Sequence, residues 1–405
     1  MARRIQADKW LFAATVGMAL FGIVMVYSAS AILAQQQNHN QYLYVMKQAS
    51  WTLIGLVFLV GAMYFDYRRL CNRNLVIALL VITCVLLLAV FAFPRVNGAH
   101  RWIRFGFLSL QPSELSKWAL TLFLAWFLER RAGEEHLFWR TFVPCILVTG
   151  ILAGLVLKEP DLGTGIMLAA IFTTVCFTAG ARLFHLSLAA APALVVLAGM
   201  LIFVPFRLKR LVVFMDPWSY AQSQGYQVVQ SLIAVGSGGI HGMGFAAGKQ
   251  KLFFLPFAHS DFIFAIVSEE LGLVGALIVV LVFALFLWRG LRAALRAPDR
   301  FGMLLGLGIV SSIVLQALFN ISVVLSLVPN KGIPLPFISY GGSSLVPTLF
   351  AVGVLLNISQ YADSPRRSSA KVRTAAEDDD GLGYRKLSGA LGSFSSLRRP
   401  VRRYS

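Results

Sequence analysis

Charge is scarce in this sequence of 405 residues. Charged residues make up 13% of the chain, whereas a soluble domain carries about 25% because its surface must face water. Hydrophobic residues make up 58%, and they come in blocks long enough to cross a lipid bilayer, about 20 residues each. The scarcity of charge excludes an ordinary soluble globular domain, and we predict an integral membrane protein.

Several kinds of chemistry have no pattern in the sequence. The four cysteines form no C-x-x-C pair and the six histidines are scattered, so we expect neither a disulfide framework nor a structural metal site. A Walker motif and a dinucleotide fingerprint are both missing, which argues against an ATP-driven pump or a redox enzyme. No nucleic-acid-binding motif accompanies the formal net charge of +18, so nucleic acid is not an expected partner.

Ten apolar segments can be placed along the chain. A backbone inside hydrocarbon must satisfy its own hydrogen bonds, and no segment alternates as a barrel strand does, so each is predicted to be a helix. The fold class is therefore an all-α polytopic membrane protein of about ten transmembrane helices in one domain, residues 1–361. The first span follows basic residues, as in a signal peptide, but it is too long for one and is expected to stay uncleaved. The spans lie near residues 10–33, 49–65, 74–94, 113–128, 141–157, 163–180, 184–205, 261–288, 301–328 and 341–360.

The Lys and Arg residues of the short loops predict the orientation. These basic clusters share a side with the basic N-terminus, which makes both termini cytoplasmic. The clusters lie at residues 67–73, 129–140, 182 and 289–300. The large outer loop between spans 7 and 8, about residues 206–260, is expected to carry short interfacial helices. Residues 362–405, rich in Ser, Gly and Arg, predict a basic, disordered cytoplasmic tail that is solvated or lies on anionic lipid.

The outer side carries more basic residues than the topology explains. Cations are usually scarce on that side, so their number suggests an anionic ligand, for which a phosphate-bearing lipid is the natural candidate. They are Arg95, Arg101, Arg104, Lys158, Arg207, Lys209, Arg210, Lys249, Lys251 and Lys331.

Asp261 stands where the long outer loop becomes a helix. Capping of that helix by Ser260 or Asp261 is the ordinary structural interpretation, and the helix dipole would keep a carboxylate there ionised. Glu269 and Glu270 follow eight and nine residues later, about 12–13 Å deeper along a helix. Carboxylates at that depth need a partner or water, so a proton or ion path is an alternative interpretation.

A second outer segment joins Arg101 and Trp102 to a predicted helix start at Pro112. Glu114 and Lys117 are three residues apart, so they share one face of that helix. They form either a local buried pair or a cationic site held at the outer boundary to meet a phosphate. Trp102 either belongs to such a site or simply lies at the membrane interface, where aromatic residues gather whatever their function.

Two further outer segments contain candidate residues. Residues 158–165 form a tight link that begins with Lys158 and includes Asp161. Residues 329–344 end in two glycines followed by two serines. The glycines permit a close backbone approach, and the N–H groups of a helix start suit an anion. A well-packed helix entry explains the same pattern more simply.

Five of these segments together resemble one known family. The strings NGAHRWI, QPSELSK, KEPDLGTG, AHSDFIFAIVSEELG and KGIPLPFISYGGSS are similar, in the same order, to motifs of the FtsW/RodA family of shape, elongation, division and sporulation (SEDS) proteins. The resemblance covers about residues 10–360 and includes the ten-span layout. MVYSASA near the N-terminus and SLVP after the last string resemble the division branch of the family more than the elongation branch.

The resemblance implies a glycosyltransferase that polymerises lipid II, a disaccharide-pentapeptide on undecaprenyl pyrophosphate. The growing strand would be the donor, the 4-hydroxyl of the incoming sugar the nucleophile, and the configuration would invert. Asp261 matches the essential acidic residue of the family, which implies a general base rather than a simple cap. Other matches imply substrate-binding residues around an outer cavity, with the cations at the pyrophosphate and the indole at lipid or sugar. They are Arg101, Trp102, Glu114 and Lys117, with Lys158 and Asp161 as further members.

One position departs from the family pattern. Many relatives carry an acidic residue before the His-Ser/Thr-Asp triplet, where this chain has Phe257. This departure argues against a site that binds a metal ion through several carboxylates. We assign no metal ligand and no certain cofactor, and the dependence on a divalent cation stays open.

The resemblance also implies partners and a place in the cell. We expect a class B penicillin-binding protein that cross-links the strands, other divisome proteins, and a multi-pass location in the bacterial cytoplasmic (inner) membrane at the division septum. The alternatives are a lipid II flippase or transporter, an elongation-type polymerase, and a scaffold that recruits a transpeptidase.

Overall fold

Helices make up most of the computed structural model, which describes residues 7–95, 98–105, 108–134, 137–202 and 205–362. The described residues contain twelve α-helices and one short antiparallel hairpin that pairs Ile103 with Leu110. The helices are α1 Lys9–Asn38, α2 Leu43–Tyr64, α3 Arg73–Ala89, α4 Pro112–Arg130, α5 Val143–Lys158, α6 Leu162–Thr178, α7 Leu183–Ile202, α8 Pro205–Met215, α9 Tyr226–Gly238, α10 Ile263–Leu295, α11 Arg300–Val324 and α12 Gly342–Gln360; the strands are β1 Ile103–Phe105 and β2 Leu108–Leu110. The predicted tail, from residue 363 onward, lies outside the described residues.

Seven stretches of helix in the described part of the chain are long and apolar enough to cross a membrane. They are Lys9–Gln37, Leu43–Tyr64, Arg73–Ala92, Phe138–Lys158, Ile263–Leu295, Arg300–Val324 and Gly342–Gln360. The other three predicted spans coincide with α4, α6 and α7. Helix α4 contains charged residues, α6 is only 17 residues long, and α7 contains the internal Pro192. The all-α polytopic membrane fold is confirmed, whereas the count of ten spans and their sidedness stay predictions.

The core of the bundle lies around α4, α11 and α12. Most side chains of these helices are buried, while α2 and α3 expose many apolar side chains on their outer faces, as expected where lipid is the solvent. Small residues permit close contact between helices: a Cβ built on Gly353 of α12 would lie 2.4 Å from the Leu59 carbonyl oxygen of α2. Gly308 of α11 likewise leaves room for Thr121 of α4.

α10 is broken at Gly272, where φ is 67° and ψ is −165°. The chain that follows α9 fills the break, because the amides of Leu273 and Val274 donate to the carbonyl oxygens of Gly239 and Ile240 at 2.9 and 3.3 Å. A Cβ at position 272 would lie 2.3 Å from the Gly242 nitrogen. Only glycine tolerates both this backbone conformation and this close approach. The break therefore ties the long loop to the helix that follows it.

Residues 329–341, here called the buried segment, fold back into the bundle between α11 and α12. A Cβ built on Gly22 of α1 would lie 2.6 Å from the carbonyl oxygen of Phe337. Non-helical backbone inside a membrane protein needs hydrogen-bond partners. Polar side chains of α2 and α11 supply them: Gln48 donates to Ser339 O at 3.3 Å, and Gln316 to Pro334 O at 2.9 Å. The segment that the sequence suggests is an outer helix entry is thus part of the core.

Candidate active site

Asp261 lies two residues before α10, against the buried segment. A Cβ built on Gly332 would lie 2.4 Å from its Oδ2, so the glycine leaves room for the carboxylate. Its carbonyl oxygen accepts a hydrogen bond from Asn320 Nδ2 at 2.8 Å, and the carbonyl oxygen of Ser260 accepts one from Ser339 Oγ at 2.6 Å. Phe262 occupies the N-cap of α10 without a side-chain hydrogen bond. Neither Ser260 nor Asp261 is therefore the cap of this helix.

The environment of Asp261 makes its carboxylate unusually basic. Burial raises its pKa to about 6, and the negative charge of Asp161 contributes, while a hydrogen bond from Ser260 and the positive charge of Arg101 partly offset the rise. A base with a pKa near the working pH is largely ionised and still takes up a proton readily. The neighbouring His259 stays neutral, because burial lowers its pKa to about 4.

Arg101 and Asp161 fasten the outer link between α5 and α6. The Arg101 guanidinium donates to the carbonyl oxygen of Glu159 at 3.2 Å and to that of Pro160. Asp161 caps α6 by accepting hydrogen bonds from the amide and hydroxyl of Thr164 at 3.2 and 2.8 Å. It also accepts from Ser113 Oγ of α4 at 3.2 Å. The structure therefore brings Arg101, Asp161 and Asp261 into one electrostatic cluster.

Glu114 and Lys117 form a buried pair. Lys117 Nζ donates to Glu114 Oε2 at 2.9 Å and to Gln316 Oε1 of α11 at 2.5 Å, and Ser344 Oγ of α12 donates to the same glutamate oxygen at 2.7 Å. The two side chains are almost inaccessible, with relative exposures of 3% for Glu114 and 1% for Lys117. The local-pair interpretation is therefore present in the structure, and contact of Lys117 with pyrophosphate stays a prediction.

Trp102 and Lys158 are the two remaining predicted substrate-binding residues. Trp102 is half-buried beside Arg101, and Lys158 is exposed at the last position of α5. Among the described residues, no hydrogen bond or ion pair joins either side chain to Asp261. Their predicted contacts with substrate stay predictions.

Sequence reasoning missed Glu159. Its side chain is fully buried, and neither carboxyl oxygen has a hydrogen-bond partner among the described residues. Burial raises its pKa to about 8, with a further contribution from Asp161 and an opposing one from Arg101, so the group is mostly protonated at neutral pH. The KEPDLGTG string predicted roles for its neighbours Lys158 and Asp161, but nothing in the string distinguishes a buried glutamate from an exposed one.

Sequence reasoning also missed Gln316 and Asn320 of α11. Asn320 Nδ2 donates to Ile333 O at 2.7 Å as well as to Asp261, and Gln316 contacts both Lys117 and the buried segment. A signal was available, because polar side chains inside an apolar helix are costly and usually functional.

Glu269 and Glu270 hold the loop that leads to Asp261. Glu269 Oε1 accepts from the amides of Lys249 and Gln250 at 2.7 and 3.1 Å. Glu270 accepts from Ser28 Oγ of α1 at 2.6 Å and from Lys251 Nζ at 2.7 Å. These contacts give the deep carboxylates a structural role. The described residues contain no group of three or more His, Cys, Asp or Glu side chains placed to hold a metal ion.

The fold and the site together define a class of protein. Apolar helices that can cross a membrane enclose an aspartate with a raised pKa near an arginine, and a buried non-helical segment supports that aspartate. This is an integral membrane protein with groups suited to acid–base chemistry and to anion binding at the ends of its helices.

Comparison with known proteins identifies the family. The model of the FtsW, RodA and SpoVE family of cell cycle proteins matches residues 9–364. The chain belongs to this family, and the resemblance of its motifs is confirmed. A "Probable peptidoglycan glycosyltransferase FtsW" of Geobacter metallireducens is 40% identical over 356 residues, which cover 87% of this chain and 94% of the relative. "Stage V sporulation protein E" of Bacillus subtilis is 39% identical over 364 residues, which cover 89% and 99%.

Two solved structures share the fold. A chain from "Structural coordination of polymerization and crosslinking by a peptidoglycan synthase complex" has a TM-score of 0.74 and 27% identity, covering 89% of this chain and 99% of that chain. The rod shape determining protein RodA of Thermus thermophilus has a TM-score of 0.65 and 26% identity with the same coverage.

Proposed function

We propose that this protein is a peptidoglycan glycosyltransferase that polymerises lipid II into glycan strands at the outer face of the cytoplasmic membrane. Family membership and the names of its relatives support the reaction class. The observation that carries the proposal in this chain is Asp261: an ionisable carboxylate, more basic than an ordinary aspartate and placed close to Arg101. A flippase requires no such base.

The reaction joins two lipid-linked sugars. The 4-hydroxyl oxygen of the acceptor attacks C1 of the donor strand and gives its proton to the Asp261 carboxylate. The bond between C1 and the pyrophosphate oxygen breaks, and the pyrophosphate leaves with the bonding electrons. Attack from the side opposite the leaving group converts an α-linked pyrophosphate into a β-1,4 glycosidic bond. Arg101 stabilises the charge that develops on the leaving group.

The surrounding residues position these two groups. Asp161 and the Glu114–Lys117 pair hold the ends of α4 and α6 that border the cluster, and Trp102 and Lys158 border it on the exposed side. Lys117 is assigned to the pyrophosphate together with Arg101. To reach it, the lysine must release Gln316, its partner in this structure.

A cross-linking partner fits this function. The solved structure with the TM-score of 0.74 belongs to a complex that coordinates polymerization and crosslinking. We assign this chain a class B penicillin-binding protein as partner, other divisome proteins as neighbours and the division septum as location. α7 offers an exposed apolar surface to a membrane helix, including Leu183, Phe184 and Val195.

Purified lipid II supplied to the reconstituted protein and its cognate transpeptidase tests the function. The wild type is expected to make glycan polymer, resolved on a gel. Asp261→Asn, which keeps the shape of the side chain and removes the base, is expected to lower the rate by about 100-fold or more. Asp216→Asn is the matched control, because Asp216 is an exposed aspartate on the loop after α8.

Each outcome of this experiment decides a different point. Equal polymer from the wild type and Asp261→Asn would remove Asp261 from the chemistry. No polymer from either, in a complex shown to be intact, would favour transport or scaffolding. Loss in Asp216→Asn as well would show a general sensitivity of the outer surface to charge removal.

A further inference from the structure

A cavity of about 330 Å³ lies beside the candidate active site, between α8, α9 and the chain that follows α11. Its wall combines one cation, Arg210, with uncharged polar side chains that include Tyr226, Gln227 and Asn330. Among the described residues that line it, none is acidic. A cation together with neutral donors and acceptors suits an anionic sugar derivative.

Arg210 is held in place in this wall. Its Nη1 donates to the carbonyl oxygen of Asn330 at 3.1 Å, and Asn330 Nδ2 donates to Gln227 Oε1 at 3.1 Å. α8, α9 and the start of the buried segment therefore meet at the cavity. Arg210 and Arg101 are close enough for their positive charges to disfavour each other. A bound anion would relieve that repulsion.

The cavity is connected to Asp261 by two short pieces of chain. Pro256 lines the cavity and precedes Asp261 by five residues. Asn330 precedes Gly332 by two residues, and Gly332 is the position against which the Asp261 carboxylate packs. Arg101, which precedes β1 and donates to the outer link between α5 and α6, lies near the same carboxylate. One guanidinium group, Arg101, thus lies near the candidate base, and a second, Arg210, lines a cavity joined to it by short pieces of chain.

The proposed reaction needs two such groups. The donor carries a pyrophosphate that leaves, and the acceptor carries a second pyrophosphate that stays on its lipid throughout. Both are anionic. The donor pyrophosphate leaves beside Asp261, whereas the acceptor pyrophosphate lies at the far end of the attacking disaccharide and needs a separate site. We propose that the Arg210 cavity binds the pyrophosphate of the acceptor lipid II, while Arg101 serves the leaving pyrophosphate of the donor; this assignment rests on the proposed function.

Arg210→Gln tests the assignment, with Lys209→Gln as the matched control. Both variants remove one positive charge from α8, but Lys209 is exposed and does not line the cavity. Initial rates of polymerisation are measured over a range of lipid II concentrations. Arg210→Gln is expected to raise the half-saturating concentration about tenfold or more, which corresponds to about 1.4 kcal/mol. Lys209→Gln is expected to change it less than about twofold. Unchanged concentration dependence in Arg210→Gln would overturn the proposal.

A binding measurement separates this proposal from the proposed function. Purified lipid II is added to the Asp261→Asn protein, and the bound molecules are counted by native mass spectrometry. Asp261→Asn is expected to bind two lipid II molecules, and Asp261→Asn with Arg210→Gln only one. That result would support the cavity even if the wild type made no polymer. The same count in both proteins would overturn it.

A third variant, Arg210→Lys, distinguishes the loss of anion binding from a purely structural effect. It keeps the charge but loses the planar, bidentate geometry of arginine. A half-saturating concentration between those of the wild type and Arg210→Gln is expected. If Arg210→Lys and Arg210→Gln were equally impaired while two lipid II molecules stayed bound, Arg210 would serve only to join α8 to Asn330, and the proposal would fail.

Discussion

The two ends of the molecule use charge differently. At the predicted cytoplasmic end, Arg68 and Asp299 form an ion pair at 3.1 Å with side-chain exposures of 37% and 23%. Near the loop that carries Asp261, Lys251 and Glu270 pair at 2.7 Å with exposures of 5% and 0%. Exposed pairs contribute little because water and salt screen them, whereas buried charges are costly unless they are paired well. Among the ion pairs of the described residues, the two that are almost fully buried, Lys251–Glu270 and Lys117–Glu114, belong to the candidate site or its loop, and the Arg289–Asp8 pair at the predicted cytoplasmic end keeps exposures of 17% and 10%.

Removal of one partner from the buried pair should have the largest effect on stability. Lys251→Met is expected to lower the free energy of unfolding by about 3–5 kcal/mol, because it leaves Glu270 buried without its cation. Unfolding in detergent measures the change, and Lys251→Met combined with Glu270→Gln is the control. Recovery of stability in the double variant is expected; no recovery would mean that the lysine acts by packing instead.

Glu159→Gln extends the comparison of buried and exposed ion pairs to a buried carboxyl group without such a pair. Glu159 is buried near Arg101 but has no hydrogen-bond partner among the described residues. Its pKa is raised to about 8 in the folded protein, against about 4.3 in an unfolded chain. Between these values the folded state holds a proton that the unfolded state has lost, so stability falls as the pH rises. The wild type is expected to lose about 3–4 kcal/mol between about pH 5 and about pH 8.

The Glu159→Gln variant is expected to lack that part of the pH dependence. Unfolding of both proteins at the two pH values provides the measurement. Parallel curves for the wild type and the variant would show that Glu159 ionises normally in the folded protein.

The smallest effect is expected at the exposed pair. Arg68→Gln should lower the free energy of unfolding by about 1 kcal/mol or less, because the pair is half-exposed. Asp299 also keeps its hydrogen bonds from the Tyr67 hydroxyl and the Gly302 amide. The same unfolding assay applies. A loss as large as that of Lys251→Met would remove the difference between the two ends.

Much of the fold could be predicted from the sequence because membrane-crossing helices leave a local signal. The apolar blocks predicted a helix at each of the ten positions, and the mixed composition of residues 206–260 predicted the short helices α8 and α9. The buried segment could not be predicted in this way. Its prolines and glycines indicate a loop, and its place in the core depends on Gln48 and Gln316, which are distant in sequence.

The candidate site was predictable where a motif carries the residue. Asp261, Arg101 and Asp161 were found through the resemblance, and the structure brings them together. The spacing of Glu114 and Lys117 predicted a pair, but the contact of Lys117 with Gln316 joins residues 199 positions apart. Glu159 was missed because burial is a property of the folded chain. Arg210 appeared in the sequence as one of ten outer cations, and only the cavity distinguishes it.

Two hydrogen bonds from distant side chains, Asn320 and Ser339, end on the main-chain oxygens of Asp261 and Ser260 rather than on the carboxylate. Main-chain atoms therefore help to fix the position of residue 261, whereas its carboxylate provides the reactivity. A protein that loses the carboxylate keeps its outline and, with it, every surface that a companion protein would recognise. In a cell that makes both forms, the inert copy would take places in the synthetic machinery that active copies need. A single substitution at this residue would then be dominant over the functional gene.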